Sequence, residues 1–133
     1  MIGIIGAMDT EVDNIKAQVK GKTVSFIAGV EFVCGFIEDV TVCVAKCSPG
    51  KVNAAICTQA MIDNFDIDMI INVGVACSLS KDVIIKNVVI ATDVCEYDID
   101  ITALGEPRGF INGLNVIKAV SYTHLTLPTT SRV

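Results

Sequence analysis

The spacing of apolar residues changes once within the first twenty positions. Ile2, Ile4 and Ile5 form a short run interrupted by Gly3 and ended by Gly6, which predicts a buried strand. Met8, Val12, Ile15 and Val19 then recur at i, i+4, i+7 and i+11, one stripe of an amphipathic helix predicted over 10–20. Thr10 and Asp13 have the spacing of a capping box, with Asp in place of the longer Glu. The chain therefore opens as strand, glycine turn, helix. In open α/β sheets that arrangement places ligands at the carboxyl ends of the strands.

Further along, residues 22–28 alternate weakly and meet a turn at Gly29-Val30. The β-rich runs 30–36 and 40–47 flank Glu38-Asp39, which predicts a hairpin and a partly antiparallel sheet. Ser48 fits an N-cap, with Pro49 at the first position of a helix over 50–64. Val52, Ala55, Ile56 and Ala60 supply that helix's apolar face. Asp68-Met-Ile-Ile-Asn-Val-Gly74 is the strongest buried strand, and it runs into the small-residue stretch 75–79. Residues 87–92 form another β-rich run. Residues 93–113 are polar and glycine-rich, a long excursion of the kind that often carries function. The fold class is α/β, with a mixed central sheet flanked by helices.

Composition narrows the partners. The chain has 133 residues, enough for one domain, and is 52% hydrophobic and 19% charged, too apolar for disorder. Net charge is −5 with no basic cluster, which argues against nucleic acid. No apolar run is long enough to span a bilayer, and the N-terminus lacks the pattern of a signal peptide. The six cysteines, Cys34, Cys43, Cys47, Cys57, Cys77 and Cys95, lie in apolar segments without a CxxC pair. They are expected to be cytoplasmic thiols packed as small apolar groups. With His124 the only histidine, no metal site is expected.

Glu11 is the candidate for chemistry, with two readings open on the residues alone. An acid in a first helical turn complements the helix dipole. A carboxylate bordering an apolar stripe in a cleft is also placed to serve as a general base. Lys51, at the predicted start of the second helix, is either a solvated lysine or a partner for an anion or polar ligand. The segment is not a Walker A loop, since Ala45 stands where glycine is required and Val52 where Ser or Thr is. The small residues 75–79 either admit a ligand close to the backbone or pack tightly under a helix. Asp98 and Asp100 are either a catalytic or metal pair, or solvated and capping groups on a loop.

Four segments in order carry a family likeness. They are Ile2-Gly-Ile-Ile-Gly-Ala-Met8 with Glu11; Gly50-Lys-Val-Asn-Ala-Ala55; Ile70-Ile-Asn-Val-Gly-Val-Ala76 with Leu79; and Tyr97-Asp98 followed by Asp100-Ile-Thr-Ala-Leu-Gly105. The chain resembles the bacterial 5′-methylthioadenosine/S-adenosylhomocysteine nucleosidases of the nucleoside phosphorylase superfamily over residues 1 to about 118. The resemblance implies hydrolysis of an N-glycosidic bond to adenine and the thioribose, in methionine salvage, without a cofactor. It implies that Glu11 activates the attacking water and that an acid later in the family sequence protonates the adenine. It implies substrate contacts at Ala7, Met8, Pro49, Val75, Ala76, Cys77 and Leu104, the last helping to form a pocket of the neighbouring subunit in a homodimer. The small-molecule nucleoside is the expected partner, with neither nucleic acid nor membrane.

Three departures from the family pattern stand out. Cys77-Ser78 replaces a Gly-Gly, Lys86-Asn87 replaces a Gly-Asp turn, and Leu104 replaces an aromatic residue. Residues 120–133, rich in Thr and Ser and matching no family segment, have the look of translated adapter sequence. The expected organisation is thus the N-terminal part of a nucleosidase domain over 1–119 and an unrelated tail over 120–133 that packs little against it. The adenine-protonating acid would then be absent, and this chain inactive by itself. The alternatives are a purine or uridine phosphorylase and a non-catalytic nucleoside-binding domain.

Overall fold

The computed structural model describes residues 1–92, 94–95, 98–110, 118–119 and 124–127. Its elements follow the change in apolar period. They are β1 (Ile2–Gly6), α1 (Asp9–Gln18), β2 (Lys20–Ile27), β3 (Val30–Ile37), β4 (Val40–Lys46), α2 (Lys51–Asn64) and β5 (Met69–Val73). After these come the two-residue strands β6 (Val94–Cys95) and β7 (Lys118–Ala119), a 3₁₀ turn at Thr102–Leu104, and β8 (His124–Leu127).

The main sheet has the order β2-β3-β4-β1-β5-β8. β1 lies between β4 and β5, parallel to both, whereas β2, β3 and β4 form an antiparallel meander. The sheet is mixed, as the hairpin at Glu38-Asp39 predicts. Ala28 and Gly29 both take positive φ, 51° and 77°, in the first two-residue turn. Primed turns of this kind match the twist of the flanking strands. β8 pairs in parallel with β5 through His124–Leu127. Four residues of the tail thus join the sheet, contrary to the expectation that it packs little.

Successive side chains of a strand point to opposite faces, and the core divides accordingly. Ile5, Phe32, Cys43, Ala45 and Ile70 pack on one face against Cys57, Ala60 and Met61 of α2. Ile4, Val33, Val44, Ile71 and Val73 pack on the other against Val12 of α1 and Val19 just beyond it. The result is three layers with β1 in the middle. The glycines of β1 let both helices approach. A Cβ at Gly3 would strike Met61, and one at Gly6 would lie 2.7 Å from Val12 Cγ1.

Three expectations need correcting. α2 buries Cys57, Ala60 and Met61, while Val52 and Ile56 of its expected apolar face are exposed. Its apolar residues surround the axis, so their spacing selects no single face. The helix starts at Lys51, with Gly50 as N-cap at φ 106°, rather than at Ser48-Pro49. Only glycine enters that backbone region readily, and the first helical bond runs from the Ala54 N–H to the Gly50 carbonyl at 3.0 Å. Finally, residues 87–92 form no strand. Val88, Val89 and Ile90 are exposed, and β propensity depends on packing context.

Candidate active site

The parallel pairing of β1 with β5 sets Gly6 opposite Val73, so the carboxyl ends of the two strands lie side by side. α1 begins just past the end of β1, and Glu11 is its third residue. Its carboxylate closes the junction. Oε2 accepts the backbone N–H groups of Ala7 at 2.9 Å and Met8 at 3.0 Å. Oε1 accepts the N–H of Val75 at 2.9 Å, from the segment leaving β5.

The Met8 bond is the carboxylate half of a capping box. Capping therefore falls to Met8 and Glu11 rather than to Thr10 and Asp13, because the helix starts one residue earlier than its apolar stripe implies. The Val75 bond does nothing for the helix end; it ties the carboxylate to a second strand. Gly74 makes room for it, since a Cβ there would stand 3.2 Å from Oε1. An ionised carboxylate offers about four lone-pair sites. Backbone donors occupy three, and the fourth remains on Oε1. Glu11 is half-buried.

Of the other expected site residues, Ala7, Met8 and Val75 are gathered here, through their backbones. Ala76 and Cys77 follow Val75 directly and are exposed. Cys77 is not among the described residues with left-handed backbone, so the side chain in place of a family glycine imposes no strain. Pro49 is exposed on the turn before α2, where its carbonyl accepts the Asn53 side-chain amide at 2.7 Å. The Cys47 N–H donates to the Gly6 carbonyl at 2.9 Å, holding the start of this turn beside β1. Leu104 is 77% exposed on the 3₁₀ turn. Tyr97 lies outside the described residues, as do 111–117, 120–123 and 128–133, and the His124 side chain is not described.

The remaining candidates are engaged by other side chains. Lys51 Nζ lies 3.2 Å from Asp98 Oδ2, linking the start of α2 to the long excursion. Asp100 accepts from Thr102 Oγ1 at 2.7 Å and from Arg108 Nη2 at 2.6 Å, so it organises its own loop. Among the described residues no group of three or more His, Cys, Asp or Glu is arranged to hold a metal, and no helix is long and apolar enough to cross a membrane.

A second concavity escaped the sequence analysis, since its residues come from four segments. It encloses about 350 Å³ between Asp9, Lys16, Phe26, Glu31, Lys46 and Ser48. Its charges cancel in pairs, Lys46 with Asp9 at 2.8 Å and Lys16 with Glu31 at 2.7 Å. The Lys46 ammonium bonded to Asp9 lowers that carboxyl and is itself raised in return.

A mixed sheet with a carboxylate seated by backbone donors at the carboxyl ends of its parallel strands defines an α/β domain with a candidate ligand site at those ends. The chain matches the phosphorylase superfamily over residues 1–130 and belongs to it. It is 40% identical over 113 residues to the 5′-methylthioadenosine/S-adenosylhomocysteine nucleosidase of Bacillus pumilus, covering 85% of this chain and 49% of that protein. The nucleosidase of Colwellia psychrerythraea in complex with adenine superimposes with a TM-score of 0.83 at 31% identity, over 88% of this chain and 48% of that one. The Neisseria meningitidis nucleosidase in complex with methylthio-immucillin-A gives the same TM-score at 28% identity, over 90% and 52%. The chain thus spans about half the length of the relatives it matches.

Proposed function

We propose that the whole protein hydrolyses the N-glycosidic bond of 5′-methylthioadenosine or S-adenosylhomocysteine, releasing adenine and the thioribose. One observation carries the reading. The Glu11 carboxylate is fixed by three backbone N–H groups at the strand ends and keeps one acceptor site on Oε1. A water at that site would give its proton to Oε1 as its oxygen attacks the sugar carbon. The same negative charge suits a transition state in which the sugar becomes cationic. The similar nucleosidases, one holding adenine and one methylthio-immucillin-A, support this substrate class.

In this reading the nucleoside lies along Ala7, Met8, Val75, Ala76 and Cys77, near the Pro49 turn. Leu104 contributes to the pocket of a second copy in a cytoplasmic homodimer acting in methionine salvage. Residues 1–119 are the N-terminal part of the catalytic domain, and 120–133 are foreign to it. No cofactor is required. Incubating the full-length protein with methylthioadenosine, with and without inorganic phosphate, tests the reaction. Adenine release that ignores phosphate is expected. Strict phosphate dependence would make it a phosphorylase, and binding without turnover a non-catalytic module.

A further inference from the structure

The β3–β4 hairpin carries two cysteines in register, Cys34 opposite Cys43. The chain turns through Glu38 and Asp39 between the paired Ile37 and Val40. A two-residue turn closes on a hydrogen-bonded pair, and the two kinds of pair alternate from there. Counting back from Ile37–Val40, the third step, Cys34–Cys43, is of the non-hydrogen-bonded kind. Such pairs hold their Cα atoms about 4.5 Å apart with side chains close, and disulfides span Cα separations of about 4.4–6.8 Å. Both side chains lie on the α2 face, Cys43 within the core cluster and Cys34 packed against it. Cys43 is sealed from solvent, whereas Cys34 is partly exposed.

We infer that Cys34 and Cys43 form a redox-sensitive pair that closes a cross-strand disulfide when the chain meets a small-molecule disulfide. The Cys34 thiol loses its proton and attacks one sulfur of the oxidant. That S–S bond breaks, one small thiolate leaves, and Cys34 carries a mixed disulfide. Cys43 then loses its proton and attacks Cys34 Sγ, expelling the second small thiolate. Two protein thiols are oxidised, the oxidant is reduced to two thiols, and the two protons released end on them. Burial raises both protein thiols, so exchange is slow at neutral pH and accelerates as pH rises. Cys57 of α2, pushed up to about 11 by burial, belongs to the same core cluster but has no partner opposite it on a strand. The bond would lock β3 to β4 in mid-sheet, and it does not depend on the proposed enzymatic activity.

The test treats the folded, monodisperse full-length protein with oxidised glutathione, alkylates the remaining thiols, and cleaves after glutamate and lysine. Cleavage after Glu31, Glu38 and Lys46 places Cys34 and Cys43 each as the sole cysteine of its own peptide, 32–38 and 39–46. Mass spectrometry should find those peptides joined, two hydrogens lighter than their sum and separated by reductant. The yield should increase with pH. In a Cys43→Ser variant the reaction should stop with glutathione on Cys34. Glutathione retained on Cys34 of the parent chain, a bond from Cys43 to Cys57, or two unreacted thiols would each overturn the assignment.

Discussion

The Val75 N–H donates to Oε1 of Glu11 at 2.9 Å, joining the first turn of α1 to the exit of β5 across 64 positions of sequence. A cap for α1 requires only the donors at Ala7 and Met8. The third bond fixes the carboxylate against the sheet and leaves one acceptor direction on the same oxygen.

Glu11→Gln therefore does more than remove a base. An amide has one acceptor oxygen, so with its oxygen on Ala7 and Met8 it turns an NH₂ toward the Val75 N–H. In the full-length protein, kcat for adenine release should fall by at least about 10²-fold, the scale of general base catalysis. Stability should fall by no more than about 1 kcal/mol, since the exposed Val75 N–H can turn to water. Near-normal turnover would return Glu11 to the role of a helix cap.

Gly74→Ala tests the seat rather than the base. A Cβ 3.2 Å from Oε1 requires a shift of a few tenths of an ångström, and φ at Gly74 is not in the left-handed range, so the backbone tolerates alanine. The shift should lower kcat on the order of tenfold with KM little altered, because small displacements of a reacting group cost rate before binding. Unchanged kcat would show that the carboxylate position is not critical.

The strands and α1 were legible because their patterns carry a single meaning: a period of 2 ending in glycine or a turn, then a stripe every three to four residues. The buried face of α2 was not, because Val52 and Ile56 are as apolar as Cys57 and Met61 and only contact with the sheet separates them. Residues 87–92 have the composition of a strand but form none. Glu11 stood out by position, whereas the Val75 donor that seats it comes from a strand far away in sequence. Leu104 drew notice through family resemblance alone.

Lys86 stands where the resembled family has glycine, and the turn explains that preference. The Asn87 N–H donates to the Ile84 carbonyl at 3.0 Å, the Ile84 N–H donates to Asn87 Oδ1 at 2.8 Å, and Lys86 sits at φ 76°. The third position of such a turn favours glycine. Lys86→Gly should stabilise the chain by up to about 1 kcal/mol, the left-handed cost less the entropy glycine adds to the unfolded state. A lower denaturation midpoint in urea would refute this.

Asp100 supplies a pH signature. The Arg108 guanidinium, then the Thr102 hydroxyl and N–H, hold its carboxyl down to about 2. A lowered carboxyl contributes stability that is fully present above its unfolded value of about 3.9 and is lost as pH falls through the folded value. The ordered 100–108 turn should persist down to about pH 4 and loosen between there and about pH 2, less visibly in high salt because the pair is exposed. Carbon-13 NMR of the Asp100 carboxyl should place its midpoint below that of a free aspartate, and Arg108→Ala should return it toward the ordinary value.

Expressed by itself, the 133-residue chain should release no adenine from methylthioadenosine. The proposed reaction needs an acid for the leaving base as well as Glu11, and the resembled family places that acid later in its sequence. The similar nucleosidases are about twice as long. Large apolar side chains also face solvent along the segment after β5, Leu79 and Ile84 among them, and Phe26 is 74% exposed on the edge strand β2. Burying about 100 Å² of apolar surface contributes roughly 2.5 kcal/mol, against a typical domain stability of about 5–15 kcal/mol. A few such patches left uncovered weaken the fold severely. The isolated chain should therefore bind a hydrophobic dye and associate with itself. Adenine release by a monodisperse sample at ordinary enzymatic rates, about 1–10³ s⁻¹, would show that the Glu11 site suffices and that no second acid is needed.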